Sequence, residues 1–395
     1  MVDDTIYILG DPQDEFQDQP SQTNGPASKN PDAVLGILRN AVSRNASDVH
    51  FQVGSRPIFR IDGTLSPFMA ANSVTSAFMA GCIDMFLDEN QKKNLFEQRQ
   101  LDCSLTLPGF TYRFRTNFFF QRDHLSAVFR LNPVIPPTMA QLGMPPIMEK
   151  LAALPHGLVL IAGATGSGKT TTLAALVNHM NDHRNAHIIM ISDPIEYIHK
   201  NKRSVISQRE IGTDATSFSS ALRVALREDP NVIVVEEIRD LESISMALTA
   251  AETGHLVFAT IHTNDAVQAI DRIIDIFPPY QQRQIRLQIA MTLQAVVSQV
   301  LLKKKDGPGR VAVYETMPVT TPVRNLIRDN QSAQIYNVIA TNRAQGMILR
   351  NDALQEAVRK GLITQEDADT CFVDTTLFQN EPPTRRQSPS ESFGI

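Results

Sequence analysis

One short stretch carries the strongest chemical signal in this chain. Gly163-Ala164-Thr165-Gly166-Ser167-Gly168-Lys169-Thr170 fits the spacing GxxxxGK(S/T). Glycines at these positions let the backbone curl so that successive N–H groups point into one concavity. A helix starting behind the loop adds positive potential, and together they hold phosphate. Lys169 is placed to reach the β- and γ-phosphates, and the Thr170 hydroxyl to ligate Mg²⁺, with Thr171 next to it on the same helix start. The flanks agree: an apolar run, residues 158–162, precedes the loop, and a helix-capable run, residues 170–178, follows it. The expected ligands are ATP and Mg²⁺.

Hydrolysis at such a loop also needs a carboxylate near the metal and a group that orients water. Candidates stand where later apolar runs end, the side on which open α/β sheets bind ligands. Ser192-Asp193-Pro194-Ile195-Glu196 follows the run 187–191, which makes Asp193 and Glu196 candidates for the nucleotide site. Glu236-Glu237 follows the run 231–235, and His262 closes the run 255–261, where a γ-phosphate sensor could sit. An isolated acid at a strand end is commonly just solvated, and a lone histidine is as often structural. An apolar run leading straight into paired acids, downstream of a phosphate loop, shifts that balance.

The elements that must position these residues follow from pattern. In residues 31–133 a helix-period stretch (Val34, Leu35, Leu38, Ala41, Val42) precedes alternating runs, among them Leu101, Cys103, Leu105 and Leu107, then Phe110 to Phe120 at every second residue. Alternation of this kind predicts antiparallel strands with one buried face, a small α+β domain. Residues 134–146 are Pro-rich and read as a linker. Residues 147–278 switch to short unbroken apolar runs between helical stretches, which predicts a parallel α/β sheet buried on both faces. Residues 279–378 show mainly helical periods, with Lys303-Lys304-Lys305 expected at a helix end. Residues 1–30 and 379–395 are polar and read as tails.

Composition bounds the function. The net charge is −5, and residues 1–30, with six acids and one base, account formally for all of it. The remaining near-neutral body gives no electrostatic footprint for nucleic acid and favours self-association. Three cysteines without a CxxC pair suggest neither a disulfide framework nor a zinc ribbon. No run of 18 apolar residues and no signal-peptide pattern is present, so the expected setting is the cytosol or a membrane surface.

Six motifs occur together and in order: GATGSGKTTT, SDPIEYIH, SQREIGTD, ALREDPNVIVVEEIRDLES, AETGHLVFATIHTND and AIDRIIDIFP. In these the chain resembles the PilT-type retraction ATPases of type IV pili, within the secretion-ATPase superfamily. The resemblance spans about residues 31–370 and includes VRNLIRDN, a segment tied to retraction. It implies a homohexamer whose subunits pair a PAS-like N-terminal domain with a RecA-like core, with ATP between them. It also implies docking on an inner-membrane pilus platform protein, and pilin disassembly for twitching motility. By position, Glu237 is the Walker B glutamate, a metal-side and catalytic carboxylate, and His262 the His-box histidine. Arg115 and Arg130 match arginines that reach the nucleotide. Two positions depart from the pattern. Ser192 stands where a glutamate, the proposed general base, is usual, and Glu236 replaces the glycine before Glu237. A hydroxyl cannot by itself deprotonate water near neutral pH. Glu236 is therefore expected to supply part of the missing carboxylate from the neighbouring strand end. The alternatives are a weakly hydrolysing accessory subunit working with a paralogous ATPase, or a related secretion-system ATPase.

Overall fold

The computed structural model describes residues 31–373, apart from residues 62, 239 and 308. Both expected tails, residues 1–30 and 379–395, lie outside these residues. The strands are β1 (Asp48–Gln52), β2 (Ile58–Ile61), β3 (Thr64–Pro67), β4 (Gln100–Thr106), β5 (Tyr112–Gln121), β6 (His124–Pro133), β7 (Gly157–Ala162), β8 (His187–Ser192), β9 (Val205–Glu210), β10 (Val232–Val235), β11 (Leu256–Ile261), β12 (Leu293–Lys303) and β13 (Arg310–Pro318).

The first six strands form an antiparallel sheet in the order β3-β2-β1-β6-β5-β4. Its two-residue periodicity has the anticipated cause: Phe114, Thr116 and Phe118 of β5 are buried, while Arg115 between them is exposed. Phe129 of β6 anchors the covered face, in edge contact with Phe51, Phe86, Phe114 and Phe118. The helices Pro31–Ser43 and Ser76–Phe86 send Leu38, Met79 and Ile83 into the same core. On the other face, Arg115 and Arg130 stand directly opposite each other in the β5–β6 register.

The remaining strands form a second sheet, β13-β12-β7-β11-β10-β8-β9. All neighbours are parallel except β12 and β13. Every residue of β7, β10 and β11 is buried, as unbroken apolar runs covered on both faces require. The loops after β7, β8, β10 and β11 therefore emerge at one edge, side by side.

The structure departs from the sequence reading in residues 279–378. The helix Pro279–Thr292 and the helices from Thr321 onward agree with it, but residues 293–303 and 310–318 are strands of the core sheet. The run Leu-Gln-Ala-Val-Val-Ser-Gln-Val-Leu-Leu admits either period. Pairing with β7, Val297 opposite Ile161, decides for the β-branched alternative. Lys303 accordingly ends a strand rather than a helix, with Lys304 and Lys305 entering the turn before β13. The helix Thr321–Arg328 buries Val323 and Ile327, and Arg324 donates from Nη1 to the Ala290 carbonyl at 2.6 Å. The Pro-rich segment 134–146 is packed against the second sheet: Met139 is buried beside Met148, and Ile198 N–H donates to the Val134 carbonyl at 3.2 Å.

Candidate nucleotide-binding site

The phosphate loop runs from the end of β7 into the helix Lys169–His183. Gly163 is required twice over. Its φ is +153°, and a Cβ there would lie 2.4 Å from Ser167 Oγ and 2.7 Å from the Gln299 carbonyl oxygen. Gly168 caps the helix at φ +88°, another left-handed position. Gln299 of β12 donates from Nε2 to the Ser167 carbonyl at 2.6 Å, so the neighbouring strand holds the loop from the side. Ser167 Oγ is buried without a hydrogen-bond partner.

Lys169 is 8% exposed, and Nζ donates to the carbonyls of Gly163 at 2.8 Å and Ala164 at 2.9 Å. Its third donor faces His262 Nδ1 at 3.5 Å. Burial lowers the Lys169 pKa, and the Glu237 carboxylate works against that. His262 Nε2 lies 2.8 Å from Glu237 Oε1. Because an ammonium only donates, the pattern fits an imidazole that offers Nδ1 to Lys169 and Nε2–H to Glu237. The segments that follow three strands thus meet: the phosphate loop after β7 leads to Lys169, and the loops after β10 and β11 supply Glu237 and His262.

The adjacent acids separate. Glu236 turns toward the loop after β8 rather than toward His262. Its N–H donates to the Ile191 carbonyl at 3.0 Å, and the β8–β10 register, Ile191 opposite Val235, brings Ser192 beside it. The Glu236 carboxyl is pushed up to about 8, first by burial and then by Glu196, with Asp193 and Glu210 adding to it. Ser192 Oγ, fully buried, makes no well-formed hydrogen bond, though its closeness to the carboxyl opposes the rise. Asp193 is exposed at the rim of this group.

The first sheet supplies counter-charge. Burial raises the Glu196 pKa, and the charges of Arg115 and Arg130 oppose it. Arg130 also donates from Nε to Asp48 Oδ1 at 3.0 Å. The Tyr197 hydroxyl bonds Thr171 Oγ1 at 3.0 Å, linking the same loop to the start of the phosphate-loop helix.

Two residues escaped the sequence reading. Arg113 of β5 forms an ion pair with Glu210 of β9, each side chain 13% exposed, and Glu210 Oε2 also accepts the Ile195 N–H at 3.2 Å. The pair ties the first sheet to the loop that carries Glu196. Its signal was present as Arg113 two residues before Arg115, on the same face, and as the glutamate within SQREIGTD.

Residues 27–370 match the family described as Type II/IV secretion system protein. The type IV pilus retraction ATPase PilT of Pseudomonas aeruginosa is 43% identical over 335 residues, covering 85% of this chain and 96% of that protein. A twitching motility protein of Neisseria gonorrhoeae is 42% identical over 340 residues, covering 85% of this chain and 89% of that one. Among solved structures, the pilus retraction motor PilT with bound ADP superposes at a TM-score of 0.81. Its sequence is 41% identical, and the match covers 88% of this chain and 99% of that one.

Proposed function

The chain belongs to the Type II/IV secretion system protein family, and from that premise we propose that it is an ATPase that powers type IV pilus retraction. The observation that carries this reading is the contact of Lys169, His262 and Glu237 where β7, β11 and β10 end. The phosphate loop, with Lys169 and the orphaned Ser167 Oγ, offers donors to phosphate oxygens. Thr170 and Glu237 are the residues that would hold Mg²⁺. When bound, that ion neutralises charge on the transferring phosphoryl group. His262 stands where it can register the γ-phosphate and pass that contact to Glu237. Arg115 and Arg130 bring forked donors from the first sheet.

Glu236 serves as the second carboxylate at the position where Ser192 stands. Its raised affinity for a proton makes it a stronger base, and turnover should climb as pH rises through about 8. ATPase assays on Glu236→Gln, Glu236→Gly and Ser192→Glu test this, and unchanged turnover in the first two would sink it. The same Ser192 supports a second reading, a slow hydrolase that works beside an active paralogue. That reading predicts normal ATP affinity but turnover only in the mixed assembly.

The working assembly is a homohexamer at the cytoplasmic face of the inner membrane, docked on the pilus platform. Among the described residues no helix is long and apolar enough to cross a membrane. Cells lacking the gene should be hyperpiliated and non-twitching. The intact gene should restore movement and a Lys169→Ala copy should not; equal rescue by both would contradict the proposal.

A further inference from the structure

Behind the His262 loop lies a buried polar network that the chemistry above does not use. Asp265 is 1% exposed, and its Oδ1 accepts from the Gln268 N–H at 2.8 Å and from the Tyr336 hydroxyl at 3.0 Å. Glu315 of β13, 2% exposed, accepts the Ala266 N–H at 3.3 Å. Arg350 opens the helix Arg350–Arg359 and brings Nε within 3.8 Å of Glu315 Oε2. Its Nη2 donates to Ser298 Oγ at 2.8 Å, and Ser298 Oγ donates to the Asn264 carbonyl at 3.0 Å.

The direction of this relay is set by chemistry. A guanidinium can only donate, so the Ser298 oxygen must accept from Arg350, which leaves its single proton for Asn264. Ser298 also stands opposite Ala162, the last residue before the phosphate loop, and the next residue, Gln299, holds the Ser167 carbonyl. Two consecutive residues of β12 therefore brace both the phosphate loop and the loop that carries His262. Burial and the nearby Asp265 push the Glu315 carboxyl up to about 8, and Arg350 is the charge that opposes them.

We propose that Arg350 is a positioning residue for ATP turnover: through Ser298 it fixes the Asn264 carbonyl, and with it the approach of His262 to Glu237. The C-terminal helices are in this way coupled to the phosphate site, and a partner that shifts the helix Arg350–Arg359 would change turnover without touching nucleotide. The inference rests on the roles given above to His262 and Glu237.

Ser298→Ala and Arg350→Met, made in the full chain, test it. Each should lower kcat by about fivefold, the effect of one net hydrogen bond, while KM for ATP moves less than about twofold. The double variant Ser298→Ala/Arg350→Met should be no slower than either single one, because both break the same relay. Above about pH 8, where Glu315 ionises in the wild type, Arg350→Met also removes its counter-charge, so Tm measured there should fall, and adding Glu315→Gln should restore Tm but not kcat. Wild-type kcat in Ser298→Ala, additive losses in the double variant, or recovery of kcat together with Tm would each overturn the proposal. Hydrogen exchange supplies a readout independent of catalysis: amides of residues 262–268 should exchange faster in Ser298→Ala. Should the wild-type chain hydrolyse no ATP, the reading of the site fails, and exchange alone decides the positioning role, unchanged rates overturning it.

Discussion

Glu236 and Glu237 are adjacent in sequence yet face different neighbours. Glu237 meets His262, whereas Glu236 sits among Ser192, Glu196, Asp193 and Glu210. The crowding has a consequence for stability. A carboxyl held near 8 in the folded chain, against about 4.3 when unfolded, binds its proton more tightly when folded. The stability tied to that proton is present below the unfolded value and is lost as pH rises through the folded one. Glutamine keeps the neutral form throughout, so Tm of Glu236→Gln should decline less steeply between about pH 5 and 8 than that of the wild type. Glu315 titrates in the same window, so the slope should shrink rather than vanish. A parallel decline in both proteins would show that Glu236 is already ionised at neutral pH.

The motif-bearing elements were legible because each is continuous in sequence: an apolar strand, a loop of fixed spacing, then a helix start or an acid. Gly163 illustrates how far that reading goes. The motif assigns it a glycine, but only the structure gives the second reason, the Gln299 carbonyl of β12 pressed against it. Gly163→Ala should therefore weaken binding of a fluorescent ATP analogue by about fivefold to a hundredfold, because overpacking of about 1–3 kcal/mol must displace backbone. Gly36→Ala, on an open helix face, should bind normally. Equal binding by all three proteins would mean that the loop relaxes at no cost. The strand β12 itself was not legible. Its apolar residues satisfy a helical period as well as a strand, and only pairing with β7 selects between them. Arg350 was invisible for a related reason: it reaches Ser298 across 52 residues, a separation at which sequence carries no local signal.

Among the described residues, the ion pair of Arg113 with Glu210, each side chain 13% exposed, joins the two sheets. Removing one partner leaves the other charge buried, which costs about 3 kcal/mol. Arg113→Met should lower Tm and should speed proteolysis in residues 134–146, since the first sheet would no longer be held against the loop that carries Glu196. Wild-type cutting rates would mean that the packed Pro-rich segment alone holds the sheets together. On the proposed function, closure of the first sheet over nucleotide would be the motion that turns hydrolysis into movement, and Arg115 and Arg130 would be its leading charges. The near-neutral body noted from the sequence suits a subunit that packs against copies of itself.

On the proposed function, the residues gathered at the ends of β7, β10 and β11 hydrolyse ATP. Steady-state ATP turnover of the purified full chain, measured with Mg²⁺ beside Glu237→Gln, tests it most directly. Turnover should be measurable in the wild type and fall by about a hundredfold or more in the variant, with ATP still bound. Equal turnover in the two proteins would contradict it.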